Sequence, residues 1–196
     1  MLLLHATTLL LSAALLFLIQ PLWTRLLLPH FGGSPAVWNT AMVFFQAALL
    51  AGYGWAHVAS TRLSHRTRAL AHLGVVGLPL LLPVVLPTAT MATAWPGLGP
   101  LQPVAALLGC LTLGVAPMFL ALSTTSPMLQ RWFGLHDHPA ARDPYFLYGS
   151  SNLGSLLGLV AYPVLEPWLD LDAQMAWLRL GYLGLFVLTA ACAWPL

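Results

Sequence analysis

Long apolar runs, separated by short clusters of Pro, Gly and charged residues, set the pattern of this chain. A lipid bilayer is crossed by about 20 mostly apolar residues. Six runs qualify: roughly 3–20, 36–59, 69–87, 101–122, 145–165 and 174–194. They are continuous and Leu-rich, without the alternation of a lipid-facing strand. Backbone groups in lipid must pair internally, so each run is predicted to be a helix. Six such helices leave only short loops. The expected fold is an all-α polytopic membrane bundle, with residues 1–196 forming a single integral membrane domain.

Composition points the same way. Charged residues make up 6% of the chain, against about 25% in a soluble domain. There are seven Arg, no Lys and five Asp or Glu, and the mean hydropathy is +0.83. A charge near the bilayer centre costs roughly 2.5–3.5 kcal/mol, which explains the scarcity. The lipid bilayer is therefore an expected partner. Nucleic acid is not, because no basic patch with interleaved aromatics is present. The N-terminal run has no basic n-region and no small-x-small cleavage site after Leu18, so it is read as a retained first span.

Arginine sets the orientation. The loops after spans 2 and 4 carry Arg62, Arg66, Arg68, Arg131 and Arg142, while the other side has Arg25 and, just inside span 6, Arg179. Five against two places both termini in the cytoplasm. Trp23, Trp38, Trp55, Trp95 and Trp168 are expected near the membrane–water interfaces.

After span 1, Gln20 to Pro35 holds two prolines around an apolar stretch, which suits a short interfacial or re-entrant piece, with Arg25 snorkelling to the outer surface. Ser34 is placed to cap span 2, with Pro35 in its first turn. Span 2 carries Asn39, Gln46, Tyr53 and His57. At 100° per residue these four fall within about 40° of one another, on one face. Such a stripe serves either interhelical hydrogen bonding or a ligand or ion pathway.

Pro79, Pro83 and Pro87 should kink or end span 3. Span 4 contains Pro117 and runs into Ser123-Thr124-Thr125-Ser126-Pro127, a pattern of broken helices found in transporter sites and elsewhere. Span 5 presents Ser150, Gly154 and Gly158 at four-residue spacing, a helix-packing face for use within the chain or in a dimer. Asn152 adds a polar group near its start. Glu166, between Pro163 and Pro167, is the one carboxylate near membrane depth. It is either an interfacial acid paired with Arg179 or Arg25, or a cation-binding acid at the outer mouth.

Little else suggests chemistry. Cys110 and Cys192 lie in different spans and read as small apolar fillers. His136-Asp137-His138 looks like a metal motif, but adjacent residues do not point one way and no further ligand is suitably spaced, so a solvated loop is expected. No nucleophile elbow, Walker A or zinc-protease motif occurs. No Cys-x-x-Cys-His is present, and His5, His57 and His72 offer no obvious facing pair for a haem or pigment. No catalytic residue, metal site or cofactor is expected.

Three long segments carry a resemblance: Gln20 to His57 (QPLWTRLLLPHFGGSPAVWNTAMVFFQAALLAGYGWAH), Ser123 to Phe133 (STTSPMLQRWF) and Asp143 to Pro167 (DPYFLYGSSNLGSLLGLVAYPVLEP). Together they resemble the N-terminal membrane domain of bacterial fused spermidine synthase-like proteins. The resemblance covers most of the chain. It implies a bacterial cytoplasmic membrane location and a bundle similar to half of a major-facilitator transporter. In that family a cytoplasmic domain resembling polyamine aminopropyltransferases follows. Residues 1–196 contain neither its glycine-rich, acid-bearing turn nor its acidic amine-binding residues, so no catalytic residue carries over. The functions expected are two. One is a membrane module that binds or passes a small cationic solute such as a polyamine, or anchors a separate synthase. The other is a non-catalytic structural subunit, a homo-oligomer or a partner of other membrane or cytoplasmic subunits.

Overall fold

The computed structural model describes residues 1–82, 86–93, 98–136, 139–141 and 145–194. Eight helices follow in order: α1 (Leu2–Phe31), α2 (Pro35–Arg62), α3 (His65–Leu81), the short α4 (Ala89–Ala92), α5 (Gln102–Gly114), α6 (Ala116–Phe133), α7 (Tyr145–Leu165) and α8 (Leu171–Ala193), with 3-10 turns at Gly99–Leu101 and Pro139–Ala141. No strand occurs among the described residues. The helices α1, α2 and α8 are long and apolar enough to cross a membrane, and α5 with α6 make a fourth such span if the bent pair is one. At 17 residues α3 is at the short end for a span. The 21 residues of α7 suffice in length, but Ser150, Ser151, Asn152 and Ser155 dilute its apolar character. Leu50, Leu70, Leu159, Leu180 and Val187 are all more than half exposed. Such an outer surface suits lipid and would be a large exposed patch in water.

Capping explains several boundaries. The Ser34 hydroxyl accepts from the Val37 N–H at 3.4 Å, with Pro35 opening α2 as expected. Ser64 caps α3 in the same way through the Thr67 N–H. The Asp170 carboxylate accepts from the Ala173 N–H at 2.7 Å and starts α8 three residues ahead of the predicted span.

One predicted break is absent and another is displaced. Gln20–Phe31 is no separate re-entrant piece: α1 runs on through Pro21 and Pro29 for 30 residues, about 45 Å. The Gln20 and Thr24 side chains bond to the carbonyls of Leu16 and Gln20, supplementing the ladder around the missing Pro21 donor. Span 4 does not end at 122. It bends by 63° at Val115, and α6 continues through Ser123–Pro127 to Phe133. Pro117 lies in the first turn of α6, where its missing N–H is harmless. The hydroxyls of Ser123, Thr124 and Thr125 bond back to Leu120 and Ala121 at 2.8 Å, so this polar run stays helical while buried. Span 3 does end early, at Leu81; Pro83 lies outside the described residues.

At the centre is α1, packed most extensively on α7 and then on α6 and α8; α2 and α3 both lie against α6. The small face of α7 is used here. A Cβ at Gly154 would collide with the Leu10 carbonyl oxygen, and one at Gly158 with that of Ala14. The two backbones touch, so the packing face works within the chain. Ser150 contributes only a bond to Phe146 O. Between α8 and α3, the buried Tyr182 hydroxyl donates to the Val76 carbonyl at 2.8 Å. Tyr182→Phe is expected to lower stability by about 0.5–1.5 kcal/mol, read by denaturant unfolding in micelles. No change would mean that this bond does not stabilise the fold.

Cys110 and Cys192 are buried free thiols, as fillers should be. Trp38, Trp55 and Trp168 are exposed, while Trp23 is buried within the bundle; Trp95 lies outside the described residues.

Candidate functional site

The polar stripe of α2 faces away from the bundle core. Asn39, Gln46, Tyr53 and His57 are all exposed, while Ala41, Phe45, Gly52, Ala56 and Ala59 fill the buried side. Gly52 fixes this rotation, because it lets α2 lie against Ser123 of α6, where any Cβ would overlap the hydroxyl. The stripe instead forms one wall of a half-open cavity of about 340 Å³ between α1, α2 and α7. Gln46 and Tyr53 line it from α2, Gln20 and Thr24 from α1, and Leu159 from α7. Asn39 and His57 lie on the same exposed face without lining it.

A second cavity of about 320 Å³ adjoins the first. Pro21 and Trp38 belong to both, so the two form one groove along α1. At its far end Arg25 Nη1 meets Glu166 Oε1 at 2.6 Å. Of the two partners foreseen for Glu166, the fold selects Arg25. Arg179 lines another cavity, with Pro79 and Tyr182. Tyr162 stands one helical turn before Glu166, its hydroxyl buried close to the Arg25 guanidinium. Behind Tyr162 and Glu166 lies an apolar cavity of about 400 Å³, reaching Leu18 and Trp177. The carboxylate therefore sits between two spaces, with one cation already beside it.

Three of the five expected ligand-binding residues, Gln46, Tyr53 and Glu166, thus converge on one groove. Gln20, Thr24 and Tyr162 were not foreseen. Gln20 and Thr24 are one turn apart around Pro21, a polar pair in an apolar helix, and that was their available signal. Tyr162 gave none beyond its nearness to Glu166.

The opposite end of the bundle holds other buried polar groups. Arg68 is almost wholly buried and donates to Ser60 O at 3.1 Å, with His65 Nδ1 at 2.6 Å. His72, one turn on, is fully buried edge-to-face against Trp132 and has no partner on either ring nitrogen. His5 and His136, far apart in sequence, lie ring to ring. Asp137 and His138 of the metal-like motif, and Arg142, are outside the described residues. Among the described residues no cluster of three or more His, Cys, Asp or Glu forms a metal cage.

The arrangement offers a carboxylate, amide oxygens, hydroxyls and an aromatic face, with no nucleophile–base pair assembled among them. Compared with protein-family models, curated proteins and solved structures, the chain matches none.

Proposed function

We propose that this chain is a six-helix domain of a bacterial cytoplasmic membrane, with both termini in the cytoplasm, built like half of a major-facilitator transporter. In this reading the bent α5–α6 pair is one crossing, and α3 and α7 also cross. Its function is to bind or pass a small cationic solute such as a polyamine, the chemistry that the family resemblance implies. The observation that carries this reading is the convergence of Glu166, Gln46, Tyr53 and Gln20 on one groove.

An ammonium group would take the Glu166 carboxylate in exchange with Arg25. A second amine, further along an elongated solute, would find the amide oxygens of Gln20 and Gln46 and the face of Trp38.

The test is titration of spermidine into the purified chain in lipid nanodiscs. Saturable binding is expected, and Gln46→Leu should weaken it about 3- to 10-fold, the loss of one hydrogen bond with a net worth of about 1 kcal/mol. Binding that is absent, or unchanged in the variant, counts against the groove.

A second reading, a non-catalytic subunit of a larger assembly or an anchor for a separate synthase, draws on the exposed Asn39 and His57 of α2 and Asn152 of α7. Polar groups on a membrane helix are usually covered by protein. Native mass spectrometry from the membrane would separate the two: this chain with unrelated subunits and no spermidine response favours the assembly.

A further inference from the structure

We propose that His5 and His136 form a two-imidazole site for a borderline divalent metal ion such as Zn²⁺ or Cu²⁺, at the end of the bundle opposite Glu166. The inference stands independently of the groove and its solute.

The two residues are 131 positions apart, His5 in the second turn of α1 and His136 just beyond the end of α6. Their ring centroids lie 5.4 Å apart with the planes at 80°. His5 is fully buried, and the Nε2 atoms of both rings are buried without any hydrogen-bond partner. Buried polar atoms are nearly always paired, so two orphaned nitrogens on rings in contact point to a missing partner.

The tautomer of His5 is fixed by its neighbour. Nδ1 lies 3.1 Å from the Met1 carbonyl, which only accepts, so Nδ1 carries the hydrogen. Nε2 of His5 is therefore a lone pair with nothing to accept. An imidazole whose far N–H donates to a backbone carbonyl is the usual form of a metal-ligating histidine. Phe133 packs edge-to-face against His5 and holds the ring in place.

The spacing also fits. Zn–N bonds of about 2.0–2.1 Å, plus a ring radius of about 1.1 Å, put each centroid about 3.2 Å from the ion. Two such ligands at the tetrahedral angle have centroids about 5.2 Å apart. The observed 5.4 Å corresponds to a slightly wider angle. Two neutral imidazole donors favour Zn²⁺, Cu²⁺ or Ni²⁺ over Mg²⁺ or Ca²⁺, which take oxygen ligands. The remaining coordination positions are left to water or another donor.

The experiment uses the purified full chain in nanodiscs with one equivalent of Cu²⁺. Pulsed electron paramagnetic resonance counts the imidazoles on the ion, and competition with a chelating dye gives the affinity for Zn²⁺. Two imidazoles are expected in the unmodified chain and one in His136→Asn. The Zn²⁺ affinity of that variant should fall by about 100-fold, at the upper end of what losing even an outer-shell partner costs. His136 lies outside the helices, so this variant keeps the fold; His5→Gln, in α1, should give the same one-imidazole signal. A His136→Asn chain that keeps two imidazoles and its Zn²⁺ affinity overturns the proposal. So does an unmodified chain with one imidazole or none.

Discussion

Gly154→Leu is expected to prevent the chain from folding, and Gly154→Ala to destabilise it by about 1–3 kcal/mol, the range for overpacking a tight contact. The cause is backbone geometry. The Cβ of either residue would land on the carbonyl group of Leu10, and α1 has no flexible side chain there to move aside. Gly158 meets Ala14 in the same way one turn later, so relieving one clash by tilting α7 worsens or merely shifts the other. The interface lost is the most extensive in the bundle, and α1 is the helix around which α6, α7 and α8 assemble. Thermal unfolding in micelles reads the Ala variants, and yield with size-exclusion profile reads Leu. Gly149→Ala is the control, because that position has open space around it and should change little. A Gly154→Ala chain as stable as its parent would mean that the α1–α7 contact is looser than described. A folded Gly154→Leu chain that merely loses partners would move the small-residue face to an intermolecular role.

The second large effect concerns the ion pair at the end of the groove. Glu166→Gln is expected to lower spermidine affinity at least tenfold, about 1.4 kcal/mol. Arg25→Gln is expected to do the opposite. Arg25 competes for the same carboxylate, so its removal leaves Glu166 free for an ammonium ligand and affinity should rise. This opposition of sign separates solute binding from a structural role. The pair is partly exposed on both sides, so as a structural element it contributes only about 0–1 kcal/mol. A purely structural pair would lose that small amount in either variant and leave spermidine binding unaffected. Parallel changes in affinity, or none, would remove the carboxylate from the site.

The difference between prediction and structure is physical at each point. Boundaries marked by a local cap were legible: Ser34 and Pro35 begin α2, and α7 covers 145–165 as expected, because a cap or an apolar run acts over one or two turns. Where proline and hydroxyl-rich segments suggested breaks, at Pro21 and at Ser123–Pro127, the helix survived. Side-chain hydroxyls and amides bond to carbonyls within it, and such bonds depend on rotamers that packing selects. The α2 stripe was read correctly as one face of a helix. Which way that face points depends on Gly52 meeting Ser123, a contact 71 residues apart that periodicity does not encode. His5 and His136 were passed over for the same reason.

Composition and periodicity by themselves determined that this chain is helical, apolar and suited to a bilayer, since the cost of charge and of unpaired backbone in lipid acts on every residue independently of its neighbours in space. They also marked Glu166 and the small-residue face of α7 as unusual. Only the tertiary structure decided that Glu166 faces Arg25 and not Arg179, that Gly154 and Gly158 receive α1, and that the α2 stripe joins Gln20 and Thr24 along an open groove. Those are pairings between distant segments. They are fixed by which backbones approach closely enough to touch, and that is a property of the assembled helices, not of any one of them.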